Sequence, residues 1–126
     1  MNARNDKLDL ILAEARPRIA EHWSSCLKAG LRGYTPATVT RLDELIDRYF
    51  AELKALPDGA PSTEMLLCIK TFFSRVDELM AAVGVEFLET DDREVLVPII
   101  TEAAAAAGLD TEKFEGGDPT LEFRHF

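Results

Sequence analysis

The sequence predicts an all-α fold, a four- to five-helix bundle with an ordered C-terminal tail packed on it. Three observations carry that prediction. Apolar residues recur at three- and four-residue spacing through four segments, glycine- and proline-rich turns separate those segments, and no stretch sustains the alternation of a strand. The 126 residues, 47% of them hydrophobic, read as a single domain over 1–126 with its tail at 109–126. A chain of that size buries roughly two-thirds of its unfolded surface, enough for a core without metal or disulfide support.

In the first segment Leu8, Ile11, Leu12, Ala15, Ile19, Trp23, Cys26 and Leu27 share one helix face. Pro17 removes a backbone donor and crowds the preceding turn, which predicts a kink or a break. Gly30 and Gly33 close the segment in a turn. Thr35 as cap and Pro36 at the first helical position open the second helix, whose inner face reads Val39, Leu42, Leu45, Ile46, Tyr49, Phe50 and Leu53. Residues 56–61 are turn chemistry. Ser62 is the expected cap of a third helix, with Met65, Leu66, Ile69, Phe72, Phe73, Val76, Leu79, Met80 and Val83 as the most apolar stripe of the chain.

Gly84 ends that helix, and residues 85–88 form a short extended connector with Phe87 or Leu88 tucked under the bundle. Thr90 begins the fourth helix. Asp91, Asp92 and Glu94 fall in its first turn, where the helix dipole favours negative charge. Val95, Leu96, Ile99, Ile100, Ala103 and Ala107 face inward, Pro98 predicts a bend or a split, and Gly108 supplies the C-terminal turn. Four large apolar residues, Phe114, Leu121, Phe123 and Phe126, predict that the tail folds back onto the body.

Charge is unevenly spread. Residues 84–126 carry eleven carboxylates against Arg93, Lys113 and Arg124, a sum of −8, whereas residues 1–83 sum to −1. Such an acidic end disfavours nucleic acid and anionic lipid and suits a basic protein surface. No apolar run approaches the roughly 20 residues of a membrane span, and the charged N-terminus lacks the pattern of a secretory signal. Cys26 and Cys68 form neither a redox nor a zinc spacing. These features predict a cytoplasmic location.

Few groups offer chemistry. His22 and Cys26, four residues apart, share a helix face and form the sharpest catalytic candidate, but neither an orienting group nor an oxyanion element is assignable. As half of a metal site the pair fares no better, because the only other histidine is His125. Glu86, Glu89, Asp91, Asp92 and Glu94 lack the order and the glycine of a calcium loop, and Asp110, Glu112, Glu115 and Asp118 do not fit one either. No phosphate loop and no basic patch with interleaved aromatics is present. The sequence therefore predicts no catalytic residue, no metal and no cofactor. It points instead to a protein-binding surface on the fourth helix and tail, with Glu86, Glu89, Asp92, Glu112, Glu115, Asp118, Glu122, Phe123 and Phe126 as its candidates.

Two stretches carry a resemblance. Residues 89–96, Glu89-Thr90-Asp91-Asp92-Arg93-Glu94-Val95-Leu96, precede an alanine-rich helix and Ala107-Gly108-Leu109. The chain ends Asp118-Pro119-Thr120-Leu121-Glu122-Phe123-Arg124-His125-Phe126. Together they resemble a family of small helical bacterial proteins of unassigned function with an "ETDxRE" helix start and a tail bearing tryptophan where Phe123 and Phe126 stand here. The match spans residues 86–126, with a weaker echo at 47–53. Such proteins are similar in kind to the immunity partners of bacterial toxins, which implies a non-enzymatic inhibitor of a basic toxin or effector. The alternatives are a subunit that forms a homodimer through an apolar helix face, and a small-ligand binder or enzyme with a pocket among His22, Trp23, Tyr49 and the phenylalanine pairs.

Overall fold

Each helix of the chain starts and stops where the sequence provides the chemistry for it. A computed structural model, which describes residues 2–126, shows α1 over Ala3–Lys28, α2 over Pro36–Ala55, α3 over Ser62–Val83 and α4 over Thr90–Ala107. Two single 3₁₀ turns follow, Thr111–Lys113 and Glu115–Gly117, and no strand forms among the described residues. Asn2 caps α1 by accepting from the Asn5 amide at 3.2 Å, and the Thr35 hydroxyl caps α2 by accepting from the Thr38 amide at 3.1 Å. At the other end of α2 the Arg4 guanidinium donates to the carbonyls of Lys54, Leu56 and Pro57, satisfying acceptors that a helix terminus leaves open.

Three local expectations are corrected. Ser62 is the first residue of α3 and not its cap. Pro61 holds the cap position in extended conformation (φ −67°, ψ 155°), and no side chain caps the helix. Pro17 does not break α1, nor does Pro98 split α4; both lie inside continuous helices. The reason is tertiary. Leu8, Ile11 and Ala15 before Pro17 and Ile19, Trp23 and Cys26 after it are one buried stripe, so packing on both sides holds the helix through its missing hydrogen bond. The residues four positions earlier, Ala13 and Glu94, are exposed, so their released carbonyls are on the solvent side.

The helices pack as a four-cornered bundle in which α1 lies against α4 and α2, α3 lies against α2 and α4, and α1 and α3 occupy opposite corners. The start of α1 meets the end of α2 through Arg4, and its end meets the start of α4 through His22, so α1 runs antiparallel to both. The core is built from Trp23, Tyr49, Phe50, Phe72, Phe73, Leu8, Leu42, Leu53, Ile69, Leu96, Ile99 and Ile100. The polar tips of two core aromatics are paired: the Tyr49 hydroxyl donates to the Ile100 carbonyl at 2.8 Å, and the Trp23 indole donates to Asp43 at 3.0 Å. The aromatic pairs Tyr49–Phe50 and Phe72–Phe73 are therefore core filling. Both Phe87 and Leu88 of the connector are buried.

The tail docks. Phe126 packs on Phe73 with ring centroids 5.9 Å apart, and Phe114 and Phe123 lie against the same core. Arg124 pins the segment, bonding to Asp118 at 3.0 Å, to the Thr120 hydroxyl at 3.1 Å and to the Phe126 carbonyl at 2.6 Å. No helix among the described residues is long and apolar enough to cross a membrane.

Candidate functional site

Where α1 ends beside the start of α4, four chemistry-bearing side chains converge. His22 and Cys26 are one turn apart on α1, which places both on the face turned to α4. Asp92 arrives from the first turn of α4. Its direction is set locally, because its Oδ2 accepts the Glu89 amide at 2.8 Å in the manner of a capping box. That contact leaves Oδ1 aimed at α1, where it meets His22 Nε2 at 2.7 Å and accepts from the Tyr34 hydroxyl. Cys26 Sγ stands 3.7 Å from the same His22 nitrogen.

Tyr34 reaches this point because Gly33 lets the α1–α2 turn press against the connector. A Cβ at Gly33 would lie 2.6 Å from Phe87 Cβ, and its φ of +90° is one that side-chain-bearing residues rarely adopt. The Tyr34 ring then packs edge-on against Phe87 at 5.0 Å. A cavity of about 430 Å³ opens on the cluster, with Glu86, Glu89, Asp91 and Leu31 at its edge.

Electrostatics follow burial. Asp92 is 4% exposed and Cys26 5%. Burial pushes the Cys26 thiol up, and the neighbouring Asp92 carboxylate adds to the effect. Burial likewise pushes the Tyr34 phenol well up, reinforced by its bond to Asp92, so Tyr34 remains a donor. A thiol shifted in that direction is not an activated nucleophile at neutral pH. The geometry argues the same way. In a nucleophilic triad the thiol and the carboxylate engage opposite nitrogens of the imidazole, whereas here both approach Nε2.

The structure separates the sequence-derived site residues into two groups. Asp92 is buried and fully engaged, so it is withdrawn from the partner surface. Asp118 is half-buried and bonded to Thr120 and Arg124, and Phe123 and Phe126 pack on the core. These three hold the tail in place. Glu86, Glu89, Glu112, Glu115 and Glu122 are exposed. Asp92 and Tyr34 are the members of the convergent cluster that sequence reasoning missed. The Glu89-x-x-Asp92 capping pattern was a visible signal for the inward turn of Asp92, but nothing local points from Asp92 to His22. The same carboxylate places a third side chain of ligating type beside the His22–Cys26 pair. Ligand atoms of His22, Cys26 and Asp92 all lie within 4.8 Å of one another.

No protein-family model matches the chain, and comparison with curated proteins and with solved structures gives no match.

Proposed function

We propose that this protein acts by binding a basic protein surface, most concretely as an immunity-like inhibitor of a bacterial toxin or effector, and not by catalysis. One observation carries the reading. Of the eleven carboxylates in residues 84–126, Asp92 and Asp118 form contacts with basic side chains within the fold, His22 and Arg124. The other nine, Glu86, Glu89, Asp91, Glu94, Glu102, Asp110, Glu112, Glu115 and Glu122, are exposed and form none among the described residues. Of the twelve acids of residues 1–83, a larger share, Asp9, Asp47, Glu52, Asp58 and Asp77, have a basic partner.

Unpaired acids of this kind steer a basic partner to the surface and raise the rate of encounter. Affinity comes from apolar contact at the centre of such a patch. Leu31, 50% exposed at the edge of the cavity and bordered by Glu86, Glu89 and Asp91, fits that role. The resemblance of residues 86–126 to small bacterial proteins similar to immunity partners supports the same reading. The competing class, a self-associating subunit, has less support: the exposed large apolar residues Leu10, Leu31, Leu67, Val83 and Leu121 are divided among α1, the α1–α2 turn, α3 and the tail.

The test is the association rate with the basic domain of a toxin encoded beside this gene. Reversing Glu86 and Glu89 to lysine is expected to slow association by about tenfold or more at low salt, with Leu31→Ala speeding dissociation. A stable homodimer in light scattering, or an association rate indifferent to both charge reversals, would overturn the proposal.

A further inference from the structure

We propose that His22, Cys26 and Asp92 form a binding site for a divalent transition cation of the zinc class. The three ligand atoms are one nitrogen, one sulfur and one oxygen, a set suited to zinc and unlike the all-oxygen sites of calcium or magnesium. They come from two helices, with His22 and Cys26 one turn apart on α1 and Asp92 on α4, so the cation would clip the end of one helix to the start of the other.

Distances support convergence on one point. Tetrahedral zinc, with bonds of about 2.0 Å to nitrogen and oxygen and about 2.3 Å to sulfur, places its ligand atoms about 3.3–3.5 Å apart. Here His22 Nε2 lies 2.7 Å from Asp92 Oδ1 and 3.7 Å from Cys26 Sγ, and no pair of ligand atoms exceeds 4.8 Å. Adjustments of about 1.5 Å or less by side chains therefore reach the tetrahedral edge lengths. The thiol and the carboxylate are both directed at a single imidazole nitrogen.

The surroundings fit as well. Coordination releases the Cys26 thiol proton to solvent, and the resulting thiolate and the carboxylate together neutralise a divalent ion, which makes its burial electrostatically acceptable. Asp92 is held from behind by the Glu89 amide at 2.8 Å, and the Tyr34 hydroxyl donates to the coordinating oxygen itself, the kind of outer contact that orients a ligand. All three residues line the cavity of about 430 Å³, from which water would supply a fourth ligand.

The experiment is titration of the chelator-treated wild-type chain with Zn²⁺ and with Co²⁺. The expected result is saturation at one equivalent, with four-coordinate visible bands and a near-ultraviolet sulfur-to-cobalt charge-transfer band, and no competition from Mg²⁺. Cys26→Ser should abolish the charge-transfer band, Asp92→Asn should weaken binding at least about tenfold, and Cys68→Ser should leave both unchanged. Should a site variant fail to fold, the wild-type and Cys68→Ser spectra still decide. Absence of the charge-transfer band from wild type, or its disappearance in Cys68→Ser, would overturn the assignment.

Discussion

Replacing Asp92 by alanine tests whether the buried carboxylate is the pin between α1 and α4. The side chain accepts from the Tyr34 hydroxyl and the Glu89 amide and meets His22 at 2.7 Å. Alanine leaves the buried tyrosine hydroxyl without an acceptor, at about 1–3 kcal/mol, and removes the cap contact, at about 1 kcal/mol. His22, with a side chain 16% exposed, turns to water and adds little. The expected loss is about 3 kcal/mol, which for a domain of this length lowers Tm by roughly 10 °C. Urea unfolding in the presence of a chelator reads it through the fluorescence of Trp23, the only tryptophan, which is 2% exposed and 5.2 Å from the His22 ring. Adding Tyr34→Phe to Asp92→Ala removes the orphaned hydroxyl and should recover about 1 kcal/mol, a coupling that independent sites do not show. The opposing physics is definite: burying a carboxylate is costly, and its removal is sometimes neutral or stabilising. A loss below about 1 kcal/mol, with no coupling to Tyr34, would therefore refute the pin.

Two further perturbations probe the segments that position the cluster. Gly33→Ala puts a Cβ 2.6 Å from Phe87 at a φ of +90°, so strain and overpacking together should cost about 3 kcal/mol by denaturant titration; unchanged stability would mean that the connector does not press on the turn as described. Asp118 governs the tail: burial pushes its carboxyl up, but hydrogen bonds from Thr120 and the Arg124 pair outweigh this and hold it below its ordinary value. Its stabilisation is accordingly complete above the unfolded carboxylate pKa of about 3.9 and is lost as pH falls through the lower folded value. Protection of the Thr120, Phe123 and Arg124 amides, relative to their intrinsic exchange rates, should fall below about pH 4 in wild type, and Asp118→Ala should show low protection already at neutral pH.

The four helices were legible because each buries a stripe at helical spacing, and because Thr35-Pro36 is a start signal that tertiary context leaves alone. A break at Pro17 and a split at Pro98 do not occur, for the opposite reason. A local rule assigns Pro17 and Pro98 a penalty of about 3 kcal/mol or more, but Ile19, Trp23 and Cys26 on the far side of Pro17 restore the helix through packing that the rule does not see. The connector was read as burying Phe87 or Leu88; both are buried, Phe87 under a glycine whose role depends on a neighbour more than fifty residues away. The candidate site divides along the same line. His22 and Cys26 were visible as a pair because a helix makes four-residue neighbours, whereas Asp92 lies 70 positions from His22 and was read as one more acid at a helix start. Asp118 and Arg124, six residues apart on no regular helix, had no periodicity to announce that one neutralises the other.

That sorting of the acids has a measurable consequence. Once Asp92 and Asp118 are assigned to the fold, the remaining carboxylates of residues 84–126 are exposed, and Glu86, Glu89 and Asp91 crowd one cavity edge. Two electrostatic effects of opposite sign then compete. Exposed ion pairs such as Arg16–Asp47 and Lys54–Asp9 contribute about 0–1 kcal/mol each and weaken with salt. Self-repulsion in a chain of net charge −9 also weakens with salt, and its relief stabilises. Screening shortens from about 30 Å at 0.01 M to about 10 Å at 0.1 M, so it acts on the long-range repulsion first and spares pairs in contact near 3 Å. Tm should therefore rise by a few degrees over that range, and Glu86→Gln with Glu89→Gln should raise Tm at low salt and flatten the dependence. A Tm that falls with added salt would mean that the ion pairs of the first two-thirds outweigh the acidic end. The edge would then hold no stored repulsion for a basic partner to relieve, and the electrostatic part of the binding proposal would lose its driving force.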